Sequence, residues 1–125
     1  MEKCRCSGDG AEESIGWLNS CPRTRLVDES HFIVDLIRCR QCDRPWVRIF
    51  YELIDWNNGE DSQARNFIPL SEDQYKAILE HGEHTDERFL DLIGIGGPYL
   101  TFCYPRSGER IYRWKEGPVF HYMHD

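Results

Sequence analysis

Two dense runs of strand-forming apolar residues, 31–38 and 46–54, dominate the middle of the chain. In the first, Phe32, Val34 and Leu36 alternate with Ile33 and Ile37; in the second, Val47, Ile49, Tyr51 and Leu53 alternate with Trp46, Phe50 and Ile54. A strand sends successive side chains to opposite faces, so apolar groups in both phases predict a hairpin covered on both sides. The residues between the runs are polar and suit its turn.

Further on, 57–62 reads as an exposed loop, and residues 67–70 lead into a helix. Ser71-Glu72-Asp73-Gln74 has the capping-box pattern, Tyr75, Ile78 and Leu79 recur at helical spacing, and Gly82 can end the helix. Thr85 is expected to cap a second short helix carrying Phe89, Leu92 and Ile93, stopped by Gly94, Gly96, Gly97 and Pro98. A second hairpin follows, with strands over 99–104 and 109–114 and a turn at 105–108. Residues 7–30 are polar and turn-rich, with Trp17 and Leu18 as anchors to the core. In the tail, Phe120, Tyr122 and Met123 favour docking at a sheet edge. The predicted order is β-β-α-α-β-β: an α+β fold with one antiparallel sheet, a single domain over 1–125 made of a first part (1–54) and a helical pair plus hairpin (66–125).

Cysteine placement changes this picture. Cys4-Arg5-Cys6 and Cys39-Arg40-Gln41-Cys42 are two close pairs separated by 32 residues. Zinc takes four thiolates at about 2.3 Å in a tetrahedron, and two short pairs from distant parts of a chain supply them while closing a long loop. Cys4, Cys6, Cys39 and Cys42 are therefore the expected ligands of one structural zinc, with no open position for a substrate. Asp43, directly after the second pair, is one of the few residues other than Gly that tolerate a left-handed backbone at such a turn. Disulfides are the competing use of an even cysteine count. No charged segment followed by an apolar stretch lies near Met1, so the expectation is a cytoplasmic chain with reduced thiols. A redox pair would sit at a helix N-terminus, whereas Cys39 and Cys42 lie between strand-like segments. Cys103 reads as a small buried hydrophobe; Cys21 could replace an N-terminal ligand.

The net charge of −7 is concentrated in residues 57–97, which hold nine acidic and three basic side chains. No apolar run approaches the roughly 18 residues of a membrane span. Arg38, Arg40, Arg44 and Arg48 surround the Cys39 turn beside Trp46 and Phe50, but Asp35, Asp43, Glu52 and Asp55 balance them, so a zinc-ribbon protein associated with nucleic acid is the alternative to a protein-binding module and not the leading expectation. His81-Gly82-Glu83-His84 has the His-x-Glu of zinc deaminases, yet the Cys-x-x-Cys stands upstream of it instead of downstream, and the string lacks the His-Glu-x-x-His that puts two ligands and a base on one helical face. His121 and His124 read as exposed. No nucleophile has a base at recognisable spacing, so no catalytic or cofactor-binding residue is assigned and the protein is expected not to be an enzyme.

The cysteine pairs and their flanking strands, over 1–54, resemble a zinc-ribbon module. In size, acidity and lack of catalytic motifs the whole chain is similar to small cytoplasmic immunity proteins of bacterial toxin systems. That resemblance implies a basic protein partner, such as a cognate toxin blocked by occlusion, bound by a monomer or small oligomer. The segment expected to meet it is Glu52, Asp55, Trp56, Glu60 and Asp61, where carboxylates flank an aromatic anchor.

Overall fold

The computed structural model of the chain describes residues 4–7, 10–29, 32–53, 62–95, 98–104 and 111–115. Its elements are a 3-10 turn (Arg5–Ser7), α1 (Ala11–Asn19), β1 (Arg23–Glu29), β2 (Phe32–Arg38), β3 (Pro45–Leu53), β4 (Ser62–Pro69), α2 (Glu72–His81), a 3-10 turn (Gly82–His84), α3 (Glu87–Leu92), β5 (Tyr99–Tyr104) and β6 (Ile111–Lys115). The six strands form one sheet in chain order, every neighbouring pair antiparallel.

This bears out an α+β fold with a single antiparallel sheet and corrects the predicted element order. Residues 7–30 are not turn-rich throughout: they contain α1 and β1. Ile15 and Leu18, three apart on α1, are buried against the sheet, while its exposed glutamates stand in the first turn. β4 was expected only as a lead into α2, but Ser62 already pairs with Leu53 and the ladder runs to Pro69 opposite Trp46.

The sheet is covered on both faces, as the double phase of β2 and β3 requires. On one face Val34, Leu36, Val47, Ile49 and Ile68 pack against Ile78 of α2 and Leu90 of α3. On the other, Ile37, Trp46, Phe67 and Leu100 pack against Ile15 and Leu18 of α1, with Cys6, Cys21 and Cys39 in the same cluster. Among the described residues the buried Ser14 and Thr85 hydroxyls and the Trp46 indole N–H have no hydrogen-bond partner, but the main polar groups inside are paired. Thr101 Oγ1 donates to Asn66 Oδ1 at 2.7 Å. Asp35, fully buried, accepts from Arg25 Nε at 2.9 Å and, on its other oxygen, from two nitrogens of Arg48. Asn19 at the end of α1 takes the remaining arm of Arg48 at 2.8 Å, tying the helix to the sheet.

The capping box of α2 is complete: Ser71 Oγ accepts from the Gln74 N–H, and Gln74 Oε1 accepts from the Ser71 N–H. The cap of α3 is Asp86 and not Thr85, because Asp86 Oδ1 reaches the Phe89 N–H at 2.9 Å. Thr85 is instead buried, with no hydrogen-bond partner for its hydroxyl. The 105–108 turn and the docking of the tail fall outside the described residues. Among the described residues, no helix is long and apolar enough to cross a membrane.

Candidate metal centre

The turn between β2 and β3 holds the interior cysteine pair. Cys39 N–H donates to the Arg44 carbonyl at 3.0 Å and Asp43 N–H to the Cys39 carbonyl at 2.9 Å, which wraps the chain tightly round the two sulfurs. Closing this loop needs one left-handed residue, and Asp43 supplies it with φ of 65°. The same wrapping aims backbone donors at sulfur. Gln41 N–H lies 3.4 Å from Cys39 Sγ, Cys42 N–H also donates there, and Arg44 N–H donates to Cys42.

The N-terminal pair arrives on the 3-10 turn rather than on a second hairpin. Gln41 anchors that turn: its Oε1 accepts from Arg5 N–H at 3.1 Å and from the Cys4 thiol at 3.4 Å. The result brings Cys4, Cys6, Cys39 and Cys42 together, with all four sulfurs within 4.8 Å of one another. Cys4 and Cys39 are 3.4 Å apart, Cys6 and Cys42 3.5 Å. A disulfide would need about 2.05 Å. A tetrahedron with sulfurs about 2.3 Å from its centre has edges of about 3.8 Å, so the observed spread brackets the geometry of a four-thiolate metal site. Cys6 and Cys39 are buried, Cys4 is half-buried and Cys42 is exposed.

Electrostatics favour the thiolate form at one position. Burial pushes the Cys39 thiol up, but donation from the Trp17 indole, from the Cys42 and Gln41 backbone and from Cys4 outweighs it and brings the group down to about 6. Cys42, with burial dominant, is raised. Trp17 was expected only as a core anchor, yet its Nε1–H donates to Cys39 Sγ at 3.3 Å. Arg5 and Arg40, one from inside each cysteine pair, lie over its ring at 5.1 and 4.6 Å from the centroid. Two guanidinium groups thus stand beside a cluster that carries charge −2 when four thiolates hold a divalent ion. An amphipathic residue with a polar tip, near the cysteines only in space, leaves no local sequence signal for this role.

Cys21 is buried near the cluster but outside the group of four, its thiol donating to the Trp17 carbonyl at 3.3 Å. The side chain of Cys103 is not among the described residues. Of the expected partner segment, Glu52 lies in β3 with its side chain outside the described residues, and Asp55, Trp56, Glu60 and Asp61 are outside them altogether. Two of the knuckle arginines are used internally: Arg48 on Asp35 and Asn19, and Arg38 on both oxygens of Glu72 at 3.0 and 3.1 Å and on the Asp43 carbonyl at 3.0 Å. His81 stacks on Phe89, ring centroids 3.8 Å apart, while Glu83 and His84 are exposed. Comparison of the chain with protein-family models, with curated proteins and with solved structures finds no match.

Proposed function

We propose that the protein is a non-enzymatic, zinc-stabilised domain of zinc-ribbon type that works by binding another protein. The observation that carries this reading is the closed set of four sulfurs within 4.8 Å of one another, fed by backbone N–H groups and the Trp17 indole. All-thiolate tetrahedral sites suit zinc, and with four protein ligands the ion has no position left for a substrate, so its work is to hold the 3-10 turn and α1 on the sheet. Arg5 and Arg40 then offset part of the cluster's negative charge.

The partner we infer is a basic protein, and an immunity protein blocking a cognate toxin is the form this takes. Support comes from the helical face of the sheet, where Asp73, Glu80, Glu83, Asp86 and Asp91 are exposed on or beside α2 and α3. Complementary charge on such a face speeds encounter with a cationic cleft. The 52–61 segment, carrying Trp56, would supply the apolar anchor.

Elemental analysis of the purified protein tests the metal. One zinc per chain is expected, and a folded, metal-free protein would sink the reading. Binding kinetics against a basic candidate toxin test the partner: association should slow steeply with salt, and an association rate indifferent to salt would remove the acidic face from the mechanism.

A further inference from the structure

The sheet face that carries α1 is not uniform. At its knuckle end Ile37, Trp46, Phe67 and Leu100 are sealed under the helix. At its far end one register row crosses all six strands: Asp28 opposite Ile33, Ile33 opposite Phe50, Phe50 opposite Arg65, Arg65 opposite Phe102 and Phe102 opposite Tyr112. Asp28 is exposed and the other five are half-buried, Phe102 and Tyr112 partly against the cluster under α1. Phe102 and Tyr112 form a tilted pair with centroids 4.8 Å apart, and the Arg65 guanidinium lies between two rings, 4.8 Å from the centroid of Phe50 and 5.7 Å from that of Phe102.

Arg65 is the anomaly in this row. Arg25, Arg38 and Arg48 each hold a carboxylate, but among the described residues Arg65 has only the two rings. Burial, reinforced by the nearby positive charge of Arg48, lowers its pKa. A partly desolvated cation with five N–H donors and no anion among the described residues is costly to the isolated fold. The cost is recovered if an anion arrives from outside.

We propose that this row binds single-stranded nucleic acid, with bases stacking on Phe50, Phe102 and Tyr112 and a phosphate meeting Arg65. Rings on neighbouring strands stand about 4.8 Å apart across the sheet, and every base offers a π-face while every step offers a phosphate, so one strand laid along the row engages both features. A carboxylate alone would satisfy the arginine and leave the three rings unused. Of the acidic groups behind the net charge of −7, the row itself carries Asp28 at its β1 end, which stands 3.7 Å from Arg25 Nη1. The acidic helices α2 and α3 lie on the opposite face of the sheet.

The test is fluorescence anisotropy of a labelled ten-nucleotide oligothymidylate against the full chain at 50 mM salt (about 14 Å of screening). Saturable binding is expected, weakened about tenfold or more by Arg65→Met and by about fivefold or more by Tyr112→Ala, in line with the stacking contribution of a single base. Arg38→Met, on the sheet face that carries α2 and α3 and bridged to Glu72, should leave it unchanged. Arg65→Met should also melt no lower than the parent protein, because it removes an uncompensated charge; Tyr112→Ala serves as the second variant should the first fail to fold. Absence of saturable binding, or binding that neither variant weakens, overturns the proposal. So does displacement of the oligonucleotide by an oligoglutamate of equal charge at equal concentration, which would assign the row to a carboxylate-bearing protein.

Discussion

The Trp17 indole N–H donates to Cys39 Sγ at 3.3 Å, joining α1 to the cysteine cluster through a single hydrogen bond. Groups that hydrogen-bond a metal ligand orient it and tune its basicity, and their loss typically lowers metal affinity 10- to 100-fold. Trp17→Phe keeps a ring for Arg5 and Arg40 to lie over and removes only the donor. A zinc affinity about tenfold or more below that of the parent, measured by competition with a chromogenic chelator, is the expected outcome. An unchanged affinity would reduce Trp17 to a packing residue.

The cysteines are unequal in what their loss does. Structural zinc contributes on the order of 10 kcal/mol to small metal-dependent folds, so Cys39→Ser or Cys6→Ser, at buried positions, should abolish zinc retention and lower the melting temperature sharply. Cys21→Ser changes a thiol that donates only to the Trp17 carbonyl and should keep the zinc. Metal content and thermal unfolding of the three variants, run side by side, separate ligand from neighbour. Zinc lost on Cys21→Ser but retained on Cys6→Ser would exchange their roles.

Much of the centre could be read from the chain because its signal is local. A Cys-x-x-Cys between two strands, followed by an Asp able to go left-handed, specifies a wrapped turn whatever else the protein does, and the capping box at Ser71 is equally self-contained. β1 was illegible for the opposite reason. Arg23-Thr-Arg-Leu-Val-Asp-Glu29 is an edge strand with Val27 alone buried, interrupted by a register shift between Arg25 and Val27, and so shows no alternation. In β4 the inward Asn66 is satisfied by Thr101 from β5, so a polar residue occupies a core position on the strength of a partner 35 residues away. In α1, Gly16 and four polar residues dilute a stripe that only the sheet reveals, with Ile15 and Leu18 its buried apolar members. Pairing across the sheet, not propensity, decided those elements.

Asp35 carries a second prediction about stability. It is fully buried, and burial pushes its carboxyl up, but hydrogen bonds and charge from Arg25 and Arg48 outweigh this and hold it below the ordinary carboxylate range. A carboxylate whose pKa is lowered on folding contributes stability that is present above its unfolded value of about 3.9 and is lost as pH falls through the folded value. Asp35→Asn should therefore destabilise the protein at neutral pH by about 3–5 kcal/mol, the usual result of removing one partner from a buried ion pair. It should also flatten the loss of stability below about pH 4. Denaturant unfolding at pH 7 and pH 3.5 checks both; parallel pH profiles for variant and parent would show that other carboxylates dominate acid unfolding.

The His81, Glu83 and His84 group supplies the test of the non-enzymatic reading. The ring of His81 is engaged face to face with Phe89 at an interplanar angle of 8°, and His84 Nε2 stands 4.0 Å from Glu83 Oε1 with both side chains exposed. General acid–base work needs groups within about 2.6–3.2 Å of the proton they move, and an exposed pair 4.0 Å apart is not held in such a contact. Changing all three to alanine should leave zinc content and partner binding intact and cost at most about 1 kcal/mol, from the lost stacking on Phe89. Loss of a hydrolytic or deaminating activity in that triple variant, with its fold intact by circular dichroism, would replace the binding module by an enzyme.

The acidic helices make the last prediction. Glu80 and Glu83 are exposed, and neither belongs to the Arg38–Glu72 bridge that fastens α2 to the knuckle, so Glu80→Lys with Glu83→Lys should leave the fold unaltered. Charge complementarity acts mainly on encounter, whereas desolvated anchors govern residence. The double reversal should slow association with a basic partner about tenfold at low salt, change dissociation little, and lose its effect near 1 M salt, where the screening length is about 3 Å. Stopped-flow association at several ionic strengths reads all three. If reversal changes only the dissociation rate, this end of α2 lies within the contact surface itself and steering is not its role.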